Sequence, residues 1–315
     1  MAYSARILRD SVALHQWPNR QEQGARLTTF EVTFPRIVLA EFNTHRVFSR
    51  NSASSRAIPV EKQLKKVMED PFIPIYWGKN QKGMQAEREL LDHEQLQALC
   101  EWIVARDYAV EQAERLLEIG VHKQITNRLL EPFMWHTVIV TGTEWDNWWG
   151  LRCNKDAQPE IRRIAEMMKE IYDKSSPSVL LEGDWHLPLV DDRPQLEADG
   201  YTLVDLIKIC IGRCTRVSYL THDGKRDPKA DMELCERLLK SGHMSPFEHA
   251  ARPMTMSEAE SKYGRPGQYI GDNFTPSKQF CGNFRGWIQA RKLIQDEDNF
   301  LKVIGTDRPF SLRGV

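Results

Sequence analysis

Residues 26–56 read RLTTFEVTFPRIVLAEFNTHRVFSRNSASSR, and two periodicities meet in them. Phe30, Val32 and Phe34 alternate with polar or charged neighbours, the pattern of a strand with one buried face. Pro35 interrupts it. The apolar run 37–40 then predicts a helix start with proline just ahead, carrying Glu41 to Arg46 on its later turns. Residues 43–56 therefore fall at a helix end and in the loop beyond it. They hold the pair His45 and Arg46, seven residues, and then Ser54, with Arg50, Arg56 and several hydroxyls around them. Arginines of this kind pair bidentately with phosphate or carboxylate, and serines add charge-assisted hydrogen bonds. On composition alone, a solvated serine-rich turn is the preferred reading.

The chain of 315 residues is 41% hydrophobic, enough for one large domain or two modest ones around a real core. Its 43 basic and 44 acidic residues balance, so no overall field argues for nucleic acid or an anionic membrane, and any bound anion must be caught by a local cluster. No run approaches the roughly 18 apolar residues of a membrane span. The segment 1–17 carries charges where a signal peptide needs an apolar stretch, so a cytoplasmic location is expected. Six cysteines lack any C-x2-C pair, which argues against a disulfide framework or a four-ligand zinc site. Cys210 and Cys214, one helical turn apart, read as small buried thiols. No cysteine sits beside a nucleophile signature.

The remaining pattern is α+β with helices dominant. Trp102, Ala105, Tyr108, Ala109, Ala113, Leu116 and Leu117 form a helical stripe stopped by Gly120. A helix is predicted over 122–130, ended by the Glu131-Pro132 step, and 138–140 is a short strand or helix end. Asp156 is a candidate cap for a helix with Pro159 in its first turn and Ile161, Ile164, Ala165, Met168 and Ile171 on one face. Residues 177–194 read as an irregular connection. Helices near 203–211 and 229–240 follow, then a loop-like stretch over 257–276. This divides the chain into a region 1–176, a connection 177–200 and a region 201–315, taken together as one composite domain.

Two further polar clusters stand out. SGHMSPFEH at 241–249 places two histidines, a hydroxyl and a carboxylate around a rigid Ser-Pro turn, although Ser245 and Glu248 also satisfy a capping box. TEWDNWWGLR at 143–152 sets aromatic bulk beside Asn147 and Arg152, a pattern that a packed core helix also produces. His243 and His249 are six apart, not the spacing that places two imidazoles on one helical face, and no H-E-x-x-H occurs, so no metal is expected. Neither a glycine-rich phosphate loop nor a G-x-S-x-G elbow is present.

Taken together the clusters resemble the flavin-dependent thymidylate synthases. That family's R-H-R-x7-S signature is similar to Thr44-His45-Arg46, seven residues and Ser54, with Arg56 two further on. Arg128-Leu-Leu-Glu-Pro132 is similar to its R-x-x-L-P segment, and NWWGLRCNKDAQPEIR at 147–162 to its N-x-x-x-L-R segment with the helix beyond. RVSY at 216–219 and GHMSPFEH at 242–249 are similar to its R-V-S and H-x-[ST]-P-F-E-H motifs. In the family these last two precede the signature, and here they follow it. The resemblance therefore implies a helix-rich thymidylate synthase-complementing-protein-like fold with a small antiparallel sheet and a circularly permuted motif order, which is tolerable when termini lie close together.

The resemblance implies reductive methylation of dUMP to dTMP, with methylenetetrahydrofolate as carbon donor, reduced FAD as hydride source and NADPH recharging the flavin, and with no enzyme cysteine as nucleophile. It assigns Thr44, His45, Arg46, Asn147, Ser218, His243, Ser245 and Glu248 to FAD. It assigns Glu41, Ser52, Ser54, Ser55, Arg56 and Arg128 to the nucleotide, Arg56 and Arg128 facing the phosphate. Arg152 is placed against the pyrimidine, where a fixed cation stabilises negative charge as the ring is activated. A homotetramer follows by resemblance, with neither nucleic acid nor membrane as partner. Thr44 replaces the signature's first arginine, Glu41 a glutamine, Ser52 a glutamate and Ala57 a tyrosine. These departures leave room for another pyrimidine acceptor or a hydroxymethyl product, as would serve a virus with altered DNA bases in the host cytoplasm. A catalytically silent nucleotide-binding relative is a third reading, disfavoured by the joint presence of Arg46, Ser54, Arg56 and Arg152.

Overall fold

The structure, a computed structural model, describes residues 3–17, 20–217, 226–263, 276–304 and 310–315. The chain runs through β1 (Ser4–Trp17), β2 (Arg20–Pro35), α1 (Leu39–Asn43), β3 (Ser49–Ser52), α2 (Val60–Glu69), α3 (Asp92–Glu118), α4 (Lys123–Thr126) and β4 (Trp135–Gly142). It continues with α5 (Asp146–Arg152), α6 (Pro159–Lys174), β5 (Ser178–Leu180), α7 (Arg193–Ala198), α8 (Leu203–Arg216), α9 (Pro228–Lys240), β6 (Ala251–Pro253) and α10 (Met256–Tyr263). The last described elements are β7 (Phe280–Cys281), β8 (Phe284–Arg285), β9 (Trp287–Gln289), α11 (Ala290–Leu293) and α12 (Phe300–Val303). The class is α+β, as expected, with a five-stranded sheet in the order β3-β4-β2-β1-β5, antiparallel except where β5 runs parallel to β1.

Phe30, Val32 and Phe34 of β2 do share one face. With Val138 and Val140 of β4 they pack against Trp145, Trp148, Ile161, Ile164 and Met168 from α5, α6 and the residue before α5. The expectation of a single buried face is corrected, however: Thr29 and Thr33 on the opposite face are also buried. Their hydroxyls lie 2.8 and 2.9 Å from those of Thr141 and Thr137, their cross-strand partners on β4, so the polar face supplies its own hydrogen bonds and tolerates being covered. What covers it is the C-terminal half. Ile139 joins the core built on α8 and Phe247, and Ala13 and Leu27 pack with Phe284 and Trp287.

Buried histidines fasten the two halves. His186 Nδ1 lies 2.9 Å from Ser11 Oγ and its Nε2 2.8 Å from Thr29 Oγ1; Thr141 Oγ1 lies 2.8 Å from His249 Nδ1. Burial holds the His249 imidazole down to about pKa 3 and His186 well below its usual range, so both rings are neutral.

Several boundaries differ from the sequence reading for visible reasons. The helix expected to reach Arg46 ends at Asn43, because Thr44 Oγ1 donates to Glu41 O at 2.6 Å and Arg50 Nη1 donates to Phe42 O and His45 O at 3.2 Å, satisfying its last carbonyls from the side. The loop expected after it contains β3, an edge strand on β4. Helix α3 begins at Asp92, ten residues ahead of the stripe's first tryptophan. The segment 122–130 holds only the short α4 before a 3-10 turn, Asn127–Phe133, that carries Pro132 inside it. Helix α6 is capped by Gln158 rather than Asp156, and α8 continues past Ile211 to Arg216. The stretch expected to be loop from 257 contains α10; residues 264–275 lie outside the described residues. Cys210 and Cys214 are buried thiols, as read.

Helices α8 and α9 pack backbone to backbone where Gly212 faces Asp231, whose carbonyl a Cβ on Gly212 would overlap. Asp231, 1% exposed, accepts from Arg213 Nε at 3.2 Å and from Arg216, which locks the crossing electrostatically. Gly212→Ala is therefore expected to lower stability by about 2 kcal/mol or more in urea denaturation, since backbone cannot yield as a side chain can. Gly150→Ala, at an open helical position, should be neutral or stabilising.

Candidate active site

The turn after α1 and the last turn of α5 build the first cluster. His45 is buried, stacked on Phe48 at 5.9 Å and edge-on to Trp148 at 4.9 Å. Its Nε2 accepts from Arg152 Nε at 3.0 Å, which fixes the ring proton on Nδ1. Burial, and then the charges of Arg152 and Arg50, push its pKa down to about 4, so His45 is a neutral acceptor at ordinary pH. The same guanidinium donates through Nη2 to Thr44 Oγ1 at 3.2 Å and to Glu41 O at 3.3 Å. Three acceptors from one motif thus aim a cation from another, while Nη1 of Arg152 has no hydrogen bond among the described residues.

This cluster continues through β3 to the C-terminal half. Ser245 and Glu248 share one 3-10 turn, with Pro246 and Phe247 buried beneath it. The Gln289 side-chain amide donates to Ser49 Oγ at 2.9 Å and to Glu248 O at 3.1 Å, tying that turn to the start of β3. Burial lowers the pKa of the Arg50 guanidinium, and the nearby Glu248 carboxylate opposes that shift. Glu248 in turn accepts from Arg291 Nη1 at 2.5 Å.

The loop after β3 forms a second cluster. Asn127 Nδ2 donates to Ser55 O at 2.7 Å and to Ile58 O at 2.9 Å, which sets the loop's path. Glu131 Oε1 accepts from Arg128 Nη1 at 2.8 Å, Ser55 Oγ at 2.9 Å and Arg36 Nη2 at 3.2 Å. Arg36 Nη1 also lies against the His136 ring, whose pKa burial, and then Arg36, push down to about 3. Beside this cluster opens a cavity of about 230 Å3 lined by residues including Ser55, Gln63, Lys66, Trp135 and His136.

The structure brings Glu41, Thr44, His45 and Arg152 into direct contact, and Ser55 and Arg128 onto one carboxylate. Ser52 ends β3, Ser54 is half-buried beside Ser55, and Arg46, Arg56, Asn147 and Ser245 are exposed. His243 is exposed and held by Ser241 Oγ at 2.9 Å. The Oε2 atom of Glu41 is buried without a hydrogen-bond partner among the described residues. Ser218 lies outside the described residues. Sequence reasoning missed the roles of Arg36, Glu131 and His136. Only Glu131 left a trace, standing where the similar R-x-x-L-P segment has leucine. Among the described residues no group of His, Cys, Asp and Glu is arranged to hold a metal ion, and no helix is long and apolar enough to cross a membrane.

Residues 26–178 match the family model described as thymidylate synthase complementing protein. Curated protein sequences give no match. Two crystal structures of a UMP/dUMP methylase, PolB from Streptomyces cacaoi, are similar to the chain. The form bound with 5-Br dUMP has 20% identity and a TM-score of 0.41, covering 47% of this chain and 67% of that one. The form bound with 5-Br UMP has 17% identity and a TM-score of 0.44, covering 55% and 89%.

A histidine NMR titration checks the electrostatics of the first cluster. The His45 resonance should move with a midpoint near pH 4, because burial first, and then the charges of Arg152 and Arg50, disfavour the imidazolium. The unfolded chain takes up this proton near the ordinary value of 6.5, so His45 favours the fold fully above that pH and loses its contribution as pH falls from 6.5 toward 4. A midpoint near 6.5 would show that the ring is not buried beside Arg152 as described.

Proposed function

We propose that this chain, whose residues 26–178 belong to the thymidylate synthase complementing protein family, is a methyltransferase-type enzyme that reductively methylates dUMP, with methylenetetrahydrofolate as carbon donor and NADPH as the source of reducing equivalents. The observation that carries the reading is the tethering of Arg152. Its guanidinium is held by His45, Thr44 and Glu41, yet keeps one nitrogen without a partner among the described residues. A cation fixed before the substrate arrives needs no reorganisation, and set against a pyrimidine carbonyl it stabilises the negative charge that develops when the ring is activated. Neutral His45 serves as a positioning residue: its Nε2 lone pair orients Arg152 and takes no proton at working pH.

The edge beside Arg152 suits the anionic part of FAD. Arg50 and Arg152 stand there with Glu248, and Arg46, next to His45 in the chain, is exposed without an ion-pair partner among the described residues. In this reading Thr44, His45, Arg46, Asn147, Ser218, His243, Ser245 and Glu248 hold the flavin, which supplies the hydride when bound. Ser54, Ser55 and Arg56 hold the nucleotide, with Glu41, Ser52 and Arg128 around it. The reading includes a permuted motif order within one composite domain. Its support is the Gln289 tie, which brings the 245–248 turn to β3 although some 200 residues separate them. A cytoplasmic homotetramer completes it, by analogy with the family.

Purified protein should be yellow, its flavin absorbance should be bleached by NADPH, and dUMP with the folate donor and NADPH should yield a product heavier by one methyl group. Absence of methylated dUMP overturns the reading. Arg152→Ala should cut turnover by about 100-fold or more while flavin stays bound, the scale of losing one preorganised donor. Arg152→Lys should fare little better, because an ammonium cannot reproduce the guanidinium's planar contacts.

A further inference from the structure

We infer that Glu131 is a built-in anion seated in the donor cluster of Arg36, Arg128 and Ser55, and that a phosphate-bearing substrate binds there only by displacing it. The inference rests on the proposed function in taking a nucleotide as the substrate. Its basis is the convergence of three donors on a single oxygen. Oε1 receives Arg128 Nη1 at 2.8 Å, Ser55 Oγ at 2.9 Å and Arg36 Nη2 at 3.2 Å, from three separate segments of the chain. Two guanidinium groups and a hydroxyl meeting at one point are the donor set that proteins present to a phosphate oxygen. Here the chain fills that point itself.

The charge balance gives the arrangement a consequence. Two cations and one carboxylate leave the cluster at a single positive charge, whereas a monophosphate brings close to two negative ones. With Glu131 in place the incoming phosphate meets a like charge sharing its donors, which opposes binding. Glu131 is 22% exposed on its side chain and Arg128 49%, so the carboxylate borders solvent and has room to rotate away. Arg56, exposed one residue beyond Ser55, then stands available as a further cation. Displacing Glu131 offsets much of what the phosphate gains from the arginines. The protein should therefore bind a pyrimidine nucleotide little better than the matching nucleoside.

Calorimetric titration of the full chain with dUMP, deoxyuridine and inorganic phosphate tests this, comparing the wild type with Glu131→Gln and Glu131→Leu. Either variant should bind dUMP and inorganic phosphate about tenfold or more tightly than the wild type, with deoxyuridine unchanged. A merely structural Glu131, whose loss loosens the two arginines, would leave phosphate binding unchanged or weaken it, and that result overturns the inference. Glu131→Leu distinguishes the same two outcomes should Glu131→Gln fail to fold. If neither dUMP nor deoxyuridine binds any form, the proposed function fails. Inorganic phosphate still reads the cluster by itself, tightening in the variants if Glu131 blocks it and staying unchanged if it does not.

Discussion

The fold depends on how the sheet hides its polar face. Ser11, His186, Thr29, Thr141 and His249 form one buried run of hydrogen bonds, each 2.8 to 2.9 Å long. Burying such groups without partners would cost several kcal/mol, and charging either imidazole there would cost more. Because each hydroxyl, both nitrogens of His186 and Nδ1 of His249 find partners across β1, β2 and β4, with His249 Nε2 left without one among the described residues, the sheet accepts apolar layers on both sides. The C-terminal half then has a fixed seat. Its 245–248 turn comes to rest on β3, through Gln289 and Ser49, because His249 at the end of that turn is anchored to Thr141.

That seating completes a polar edge that neither half possesses alone. From the N-terminal half come the His45 turn and the Arg152 helix, joined by a hydrogen bond across 107 positions. From the other comes Glu248, held by Arg291 and facing Arg50. The aromatic cage around His45, Phe48 and Trp148, does more than fill space. By excluding water it keeps the imidazole neutral, and only a neutral imidazole can accept from a guanidinium. Packing in the core is thus converted into the orientation of one cation at the surface.

Period-two alternation at Phe30, Val32 and Phe34 was enough to find the central strand. It was blind to the second buried face, because threonine reads as polar in a string of letters and becomes core-compatible only when a partner across the strand takes its hydroxyl. Strand β3 escaped for the opposite reason. Its residues, Ser49 to Ser52, carry no apolar signal, and its extended form comes from pairing with β4. The early turns of α3 are mostly exposed, so no stripe marks them. At the site, the resemblance named His45 and Arg152 without indicating that they touch. The distance between them in sequence leaves no local trace of a contact. Glu131 stands where the similar R-x-x-L-P segment has leucine, but its meaning needed Arg36, Ser55 and Arg128 to be placed around it.

In the proposed reading a cation fixed by neutral His45 faces the pyrimidine of the substrate, and a crystal structure of the flavin-loaded protein with dUMP would reveal whether it does. The pyrimidine ring should lie within hydrogen-bond reach of Arg152 Nη1, with the Arg152 Nε to His45 Nε2 contact kept as it is in the free chain. A ring bound elsewhere, or an Arg152 that leaves His45 when the nucleotide enters, would contradict the reading.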